Sequence, residues 1–451
     1  MGPDRSEGDL NLGPQRQRWQ AEMLDAPTRA LLEEDARWFL HQSMSTPCLN
    51  ALSGAQGSWL QDLAGRRILD FHGNSLHQIG YGHPRVVAAI ETSLRELPFS
   101  PRRYTNHYAV ELARRLCQAA PMAEAKLLLA PSGTAAIGMA LKLARLVTGR
   151  FKTLSMWDAF HGASLDAISL SGEAVFRSGI GPLLPGAAQV PPCAPRHCIF
   201  GCGGQCALRC LDYIEQCLRR EGDVAAVVLE TIRSTDVQLP PPAYYTGLRQ
   251  LCDRYGALLI LDEIPIALGR TGTLFAIERY GIEPDMLVIG KGLGGGTMPL
   301  AALIAQRRFD VGQHLSLGHY THEKSPVACA AALAVLDVLQ EENLLERSQR
   351  LGAWAAERLR AATAELPAVL EVRAAGLLLG IELADQAGRS AADLAEAVLY
   401  RCLRAGLSFK VGQGRVLVLA PPLNVAEADL EWALECLGTA LRAESEAEAE
   451  G

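Results

Sequence analysis

The chain has 451 residues, of which 49% are hydrophobic and 21% charged, and its formal net charge is -7. This length predicts a globular protein of two lobes or domains, and the acidic balance without a basic stripe excludes nucleic acid as an expected partner. No apolar run reaches the roughly 20 residues of a membrane-spanning helix. The charged start, MGPDRSEGDLNL, has no apolar segment of a secretory signal, so we expect the cytoplasm and no membrane partner.

Residues 1–65 are predicted to form an N-terminal arm and part of a small domain, with a helix from about Pro27 to Met44. An arm of this kind usually lies across a partner subunit. A strand is then expected at Ile68–Phe71. His77 and His83 follow it without a carboxylate or cysteine at ligand spacing, so the pattern favours hydrogen bonding in a loop over metal binding.

Two arginines, Arg102 and Arg103, stand before a predicted amphipathic helix in the run PFSPRRYTNHYAVELARRL. Guanidinium groups form paired hydrogen bonds with phosphate or phosphonate oxygens. The two side chains are therefore candidates for an anion site, and a solvated or interface pair is the alternative.

A phosphate site is predicted where the strand Leu127–Leu129 leads into a helix at 131–145. Ser132, Gly133 and Thr134 stand at the start of that helix, where free backbone N–H groups and the helix dipole attract an anion. Glycine permits close approach of the backbone. An ordinary helix cap would explain Ser132 equally well.

Strands and helices alternate from about residue 65 to 300, which is typical of an α/β fold with a mostly parallel sheet and helices on both faces. Ligands of such sheets bind at the carboxyl ends of the strands. The predicted strand Thr153–Met156 leads to Phe160, whose ring can stack on a planar cofactor. The strand Val224–Leu229 ends in Glu230.

An acid and a lysine follow the next two strands. The strand Ala257–Leu261 ends in Asp262 and Glu263, and Met286–Ile289 is followed by Lys291 in a glycine-rich turn. A lysine buried against apolar neighbours loses its proton near neutral pH and can form a Schiff base. A carboxylate at the same sheet edge can pair with a protonated ring nitrogen, and together these groups are what pyridoxal phosphate needs. A solvated lysine at a strand end is the commoner alternative.

Five of the twelve cysteines cluster between two predicted elements, at Cys193, Cys198, Cys202, Cys206 and Cys210. Their spacing of four residues from Cys198 onward differs from the Cys-x-x-Cys spacing of a zinc knuckle. We expect reduced thiols in a glycine-broken surface insertion and no metal. A structural zinc or a redox site is the alternative.

The large domain is predicted to span 66–330, and 331–451 to form a smaller α+β domain after a long helix at Pro326–Leu339. The short strands expected there are 377–383, 407–411 and 415–423.

Considered together, these motifs resemble the class III (ω-amino) aminotransferase family of pyridoxal-phosphate enzymes over nearly the whole chain. The motifs that carry the resemblance are Ser132-Gly133-Thr134, Phe160-His161-Gly162, Asp262-Glu263-Ile264, Gly269-Arg270-Thr271-Gly272, Lys291 with its glycines, Thr321, and Pro421-Pro422-Leu423. The resemblance implies the fold-type I fold and a homodimer with active sites at the subunit interface.

The resemblance also implies roles for individual residues. Lys291 would bind the cofactor and move protons, and Asp262 would pair with the ring nitrogen. The remaining cofactor contacts that it implies are Phe160 and Ile264 on the ring, Gly133 and Thr134 on the phosphate, and Thr321 on the phosphate from the other subunit.

The departures from the family pattern bear on the reaction. Val418 stands where the family often has an arginine that clamps the carboxylate of glutamate or 2-oxoglutarate. Valine offers no hydrogen-bond donor, so we expect glutamate to be a poor substrate. Pro265 stands in place of a glutamine that would touch the cofactor hydroxyl.

The runs FSPRRYTN and GHYTHEKSP are similar to a branch of the family that eliminates ammonia from a small β-hydroxy amine phosphonate. Arg102, Arg103 and Lys410 are the candidate residues for the phosphonate. Two alternatives remain open: an ω-aminotransferase that uses pyruvate or another oxo acid, and a catalytically silent regulatory homologue that binds the cofactor or a partner.

Overall fold

The computed structural model describes residues 13–43, 45–386 and 388–446. The chain forms two compact units. We name them the central unit, which contains Pro84–Ser234 and Gln238–Asn343, and the flanking unit, which contains the chain up to His83, Thr235–Val237 and the chain from Leu344 onward. The domain boundaries expected at residues 66 and 331 stay a prediction.

The α-helices of the described residues are α1 Pro14–Met23, α2 Ala26–Trp38, α3 Pro84–Glu96, α4 His107–Ala119, α5 Gly133–Thr148, α6 Leu165–Leu170, α7 Ala174–Arg177, α8 Arg209–Glu221, α9 Pro242–Tyr255, α10 Pro326–Glu341, α11 Leu344–Thr363, α12 Ala391–Ala405 and α13 Glu427–Glu446. Across these same residues, no helix combines the length and the apolar character needed to cross a membrane.

The β-strands of the described residues are β1 Leu52–Gln56, β2 Trp59–Asp62, β3 Arg67–Asp70, β4 Ala125–Ala130, β5 Lys152–Met156, β6 Ala187–Val190, β7 Val224–Glu230, β8 Leu258–Asp262, β9 Met286–Ile289, β10 Ala301–Gln306, β11 Val369–Ala375, β12 Leu378–Leu383, β13 Leu407–Ser408, β14 Lys410–Gly412 and β15 Val416–Leu419.

The central unit is built on a seven-stranded sheet in the order β4-β10-β9-β8-β7-β5-β6. Strand β10 is antiparallel to both of its neighbours, and the other pairings are parallel. Every residue of β7, β8 and β9 is buried, as expected for apolar strands covered on both faces. The predicted α/β class with a mostly parallel sheet is confirmed. Because β4 and β9 are both antiparallel to β10, the carboxyl ends of β4, β5, β7, β8 and β9 lie at one edge.

The flanking unit contains two four-stranded sheets, β1-β2-β3-β13 and β11-β12-β15-β14. The prediction of a single strand at 407–411 is wrong, because Leu407 pairs with β3 in one sheet and Lys410 pairs with β15 in the other. Phe409 lies between the two short strands with its side chain buried. The segment therefore contributes to both sheets rather than to one.

The helix predicted from about Pro27 to Met44 corresponds to α2 and is shorter than expected. Helix α2 ends at Trp38, because Phe39 adopts an extended backbone conformation. Met44, the predicted end, lies outside the described residues. A further helix, α1, precedes it, although its weak apolar pattern gave no signal in the sequence.

Residues 235–237 leave the central unit and pack within the flanking unit. Arg373 donates a hydrogen bond of 2.7 Å to the carbonyl oxygen of Asp236. A Cβ atom on Gly412 would lie 1.4 Å from the carbonyl oxygen of Thr235, so only glycine lets the segment approach strand β14. Strand β7 ends at Glu230, and this contact holds the chain in place five residues later, at Thr235.

Glu263 ties the end of β8 to a 3-10 turn at Ala276–Tyr280. Its side chain is fully buried and accepts hydrogen bonds from Thr231 Oγ1 at 2.7 Å and from the N–H groups of Ala276 at 2.6 Å and Ile277 at 2.8 Å. Burial raises the pKa of Glu263 from its ordinary value of 4.5 to about 7.

This raised pKa predicts a pH-dependent loss of stability. Between about pH 4.5 and 7 the folded protein keeps a proton that the unfolded chain releases, so the free energy of unfolding should fall as pH rises through that range, by on the order of 3 kcal/mol. Glu263→Gln cannot ionise and should lose this part of the pH dependence. Denaturant unfolding at about pH 5 and pH 8 measures it, with the exposed Glu91→Gln as the control. An unchanged pH dependence in Glu263→Gln would contradict the assignment.

Candidate active site

The side chains predicted to bind a cofactor follow strands that end at one edge of the seven-stranded sheet. Parallel strands bring their carboxyl ends, and the loops after them, to the same side. The residues that follow or end these strands are Ser132 after β4, Phe160 after β5, Glu230 at the end of β7, Asp262 at the end of β8 and Lys291 after β9.

Asp262 is buried, and both of its carboxylate oxygens are hydrogen-bonded. Oδ2 lies 2.8 Å from Nδ1 of His161, and Oδ1 accepts a 3.0 Å hydrogen bond from the N–H of Ile264. The side chain is 2% exposed, so the negative charge is held away from water by one imidazole and one backbone amide. The carboxylate is therefore fixed in position before any ligand arrives.

His161 is the partner that sequence reasoning missed. A histidine directly after Phe160 in a strand-to-helix loop is the signal that could have identified it. Its side chain is buried, and its backbone N–H donates a 2.8 Å hydrogen bond to Ser171 Oγ. Its Nε2 atom has no hydrogen-bond partner within the described part of the chain.

Glu230 places a second buried carboxylate beside Asp262, because the two residues pair across β7 and β8. Its oxygens accept hydrogen bonds from the N–H groups of Ser234 at 3.1 Å and Phe160 at 3.4 Å. Burial raises the pKa of Glu230, and the neighbouring imidazole of His161 opposes that rise. The hydrogen bond from the N–H of Phe160 to Glu230 links the end of β7 to the loop that carries Phe160.

The start of helix α5 lies against Ile264. A Cβ atom on Gly133 would come within 2.7 Å of the Cδ1 atom of Ile264, so a side chain at this position would displace Ile264. Ser132 caps the helix, and its Oγ accepts a 3.3 Å hydrogen bond from the N–H of Ala135. The free N–H groups at the start of this helix favour an anion, as the sequence predicted.

Thr134 joins this helix start to the loop after β5. Its Oγ1 lies 2.6 Å from Ser164 Oγ and accepts a 3.1 Å hydrogen bond from the N–H of Ser164. Gly162 has a φ of 129° and approaches so closely that a Cβ atom would lie 2.5 Å from Thr134 Oγ1. A side chain at Gly162 would collide with Thr134 at the helix start.

Phe160 and Ile264, the two residues predicted to enclose the cofactor ring, are both half-buried. The ring of Phe160 packs against that of Phe176, with centroids 4.4 Å apart and planes tilted by 43°. Gly290, like Gly133, leaves room for Ile264, since its Cβ would lie 3.3 Å from the Cγ2 of Ile264. The packing fixes both apolar side chains at the sheet edge.

Lys291 follows Gly290 at the end of β9 and begins a 3-10 turn, Lys291–Gly294. Of the two alternatives that the sequence left open, a buried and a solvated lysine, the single chain has the solvated one, because the side chain is exposed. The turn carries it off the strand with a φ of 45°. Gly295 follows, and its Cβ would lie 2.8 Å from Val86, so the turn packs closely on helix α3.

The candidate substrate arginines are exposed in the loop before α4. The guanidinium nitrogens of Arg102 lie 2.5 Å from Nδ1 and 2.6 Å from Nε2 of His319. Both residues line an open cavity of about 820 Å³ in the central unit. Thr321, two residues after His319, is also exposed.

Lys410, the third candidate, lies in the flanking unit on β14. It pairs directly with Val418 of β15, and Val418 pairs on its other side with Gly380 of β12. Directly opposed residues of antiparallel strands project from the same face of the sheet. Lys410 therefore lies beside Val418, the residue that stands where the family often has an arginine.

These residues fit pyridoxal phosphate. The start of helix α5 at Gly133 and Thr134 has the free N–H groups that a phosphate needs. Asp262 offers a buried negative charge suited to a protonated ring nitrogen. Within the described ranges, no group of three or more His, Cys, Asp and Glu side chains is arranged to hold a metal ion.

Comparisons with known proteins agree with this chemistry. Residues 41–441 match the family model described as aminotransferase class-III. The chain is 46% identical to an (R)-1-hydroxy-2-aminoethylphosphonate ammonia-lyase of Vibrio splendidus, over 97% of this chain and 95% of the relative.

Solved structures are similar over most of their length. An aminotransferase of Bacillus anthracis is 27% identical, with a TM-score of 0.84 over 93% of this chain and 100% of its own. An (S)-enantioselective ω-transaminase of Thermomicrobium roseum is 27% identical, with a TM-score of 0.85 over 94% of this chain and 100% of its own. The predicted fold-type I architecture is confirmed. Pyridoxal 5'-phosphate, on which this family depends, is the cofactor, and the chain belongs to the class III aminotransferase family.

Proposed function

We propose that this enzyme is an ammonia-lyase that converts (R)-1-hydroxy-2-aminoethylphosphonate to phosphonoacetaldehyde and ammonia. The observation that carries the proposal is the 46% identity, over 97% of the chain, to the Vibrio splendidus protein that bears this name. The fold alone would not distinguish a lyase from an aminotransferase, because both chemistries use the same cofactor.

The proposed catalytic residues are Lys291 and Asp262. The bound cofactor supplies an electron-withdrawing ring that stabilises negative charge on the carbon next to the substrate nitrogen. Lys291 binds the cofactor and then takes the proton from that carbon. Asp262 holds its negative charge beside the ring nitrogen, and the 2.8 Å contact to His161 keeps the carboxylate in place.

Loss of the hydroxyl group from the neighbouring carbon completes the elimination. The hydroxyl leaves with a proton as water, and the released two-carbon product isomerises and takes up one water to give phosphonoacetaldehyde and ammonia. No oxo acid is consumed. This agrees with a valine at position 418, since a lyase needs no clamp for the carboxylate of an acceptor.

We propose that Phe160 and Ile264 enclose the cofactor ring and that Gly133 and Thr134 hold its phosphate. Support comes from the absence of a side chain at Gly133 and from the hydrogen bonds that join Thr134 to the loop after β5. The phosphate then receives backbone N–H groups at the start of α5.

We also propose a homodimer, in which Thr321 reaches the cofactor phosphate of the partner subunit, and a cytoplasmic location. The exposed position of Thr321 agrees with a contact outside its own chain. All twelve cysteines are free thiols, as is typical of a reducing compartment. Sedimentation of the cofactor-loaded protein as a monomer would contradict the dimer.

The lyase is tested by incubating the cofactor-loaded enzyme with (R)-1-hydroxy-2-aminoethylphosphonate alone and measuring free ammonia. We expect turnover without any oxo acid and none with Lys291→Ala, which lacks the amine. The alternative is an ω-aminotransferase, which the similarity to solved transaminase structures favours. Turnover that appears only after pyruvate is added would replace the lyase with that alternative, and no reaction under either condition would favour a silent homologue.

The phosphonate is proposed to bind one or more of Arg102, Arg103 and Lys410. Removing a cation that bonds to the phosphonate should raise KM by about tenfold to a hundredfold, because charge-assisted hydrogen bonds contribute about 1.5–3 kcal/mol. Single alanine variants are compared in the ammonia assay, with Lys142→Ala, an exposed lysine that does not line the cavity of Arg102, as the control. If KM is unchanged in all three variants, none of these residues holds the phosphonate.

A further inference from the structure

The five clustered cysteines lie in the segment between β6 and α8, which has no regular structure until Arg209. Gly201, Gly203 and Gly204 break the segment with positive φ angles, and a Cβ atom on any of them would meet nothing within 4 Å. The segment therefore has space to move. None of these thiols takes part in the proposed reaction.

Three of the thiols meet at the base of this segment. The Sγ atoms of Cys193 and Cys206 lie 3.6 Å apart. Cys193 is 5% exposed and Cys210, at the start of α8, is 3% exposed, whereas Cys206 is partly exposed. Two of the three are thus protected from solvent, and Cys206 gives access to them.

We propose that Cys193 and Cys206 form a reversible disulfide, so that this segment is a modification site for hydroperoxides. A bonded pair of sulfur atoms lies about 2.05 Å apart, so the two thiols need to approach by only about 1.5 Å. The three open glycines lie between the two cysteines in sequence and can absorb that movement.

The chemistry balances in two steps. The sulfur of Cys206 attacks one oxygen of the hydroperoxide and breaks the O–O bond, which forms a sulfenic acid. The other oxygen leaves as hydroxide or alkoxide, takes the thiol proton and becomes water or an alcohol. The sulfur of Cys193 then attacks the sulfenic sulfur, which forms the S–S bond and releases water. The two sulfur atoms lose two electrons, and the peroxide gains them.

The third thiol, Cys210, is the hydrogen-bond partner of Cys193. This hydrogen bond raises the pKa of Cys193 and lowers that of Cys210. Cys193 therefore keeps its proton at rest and releases it only as it attacks, to the hydroxide that leaves the sulfenic sulfur as water.

The pair also lies close to the cofactor site. Cys193 and Glu230 line the same small cavity of about 30 Å³ in the central unit, together with Arg233 and Tyr244. Oxidation thus changes the wall of a cavity that is also lined by Glu230, the residue that pairs with Asp262 across β7 and β8.

The test is peptide mapping of the cofactor-loaded protein after treatment with hydrogen peroxide and blocking of the remaining thiols. Trypsin cuts after Arg196 and Arg209, which separates Cys193 from Cys206 and both from Cys210. We expect a linked pair of peptides, 178–196 with 197–209, in most of the oxidised protein. Fragmentation assigns the bond to Cys206, and treatment with a dithiol should remove it.

Matched variants test whether any other thiol forms the bond to Cys193. Cys206→Ser, at a partly exposed position that tolerates serine, should abolish the linked peptide, and Cys117→Ser on helix α4 should leave it unchanged. Cys198→Ser with Cys202→Ser should also leave it unchanged. A wild-type protein in which Cys193 stays fully alkylatable after peroxide, or in which it is linked to a cysteine other than Cys206, would overturn the proposal.

Discussion

The active site depends on the hydrogen bond between the buried carboxylate of Asp262 and the imidazole of His161. A negative charge at the end of a fully buried strand is costly unless it has fixed partners. The 2.8 Å contact to His161 and the 3.0 Å bond from the N–H of Ile264 supply them. The same two bonds hold the carboxylate in place, so the partners that offset the cost of burying this charge also position it for the cofactor ring.

The loops around this pair are arranged by close contacts at glycine. Gly133 lets the start of α5 lie against Ile264, and Gly162 lets the loop that carries His161 approach Thr134. Side chains at these two positions would push apart the elements that form the phosphate site. The buried carboxylates therefore fix the ring end of the site, and the glycines allow the close packing at its phosphate end.

Much of this could be predicted from sequence, because apolar strands followed by polar residues define a sheet edge. The positions of Asp262 at the end of β8 and of Lys291 after β9 follow from that pattern alone. The bond to His161 could not be predicted, since it joins residues that lie 101 positions apart and only the packed fold brings them together. The sequence left open whether Lys291 is buried or solvated, because a turn, rather than the strand, sets the direction of its side chain. The break at Phe409 was missed because LSFKV has the pattern of one strand.

The most direct test of the account is to identify the residue that binds the cofactor. The chain has six lysines, Lys126, Lys142, Lys152, Lys291, Lys324 and Lys410. Borohydride reduction of the enzyme loaded with pyridoxal phosphate, followed by peptide mapping, locates the attached pyridoxyl group. The account predicts a single modified lysine, Lys291, with no specific label in Lys291→Ala. A pyridoxyl group on any of the other five lysines, with Lys291 unmodified, would contradict it.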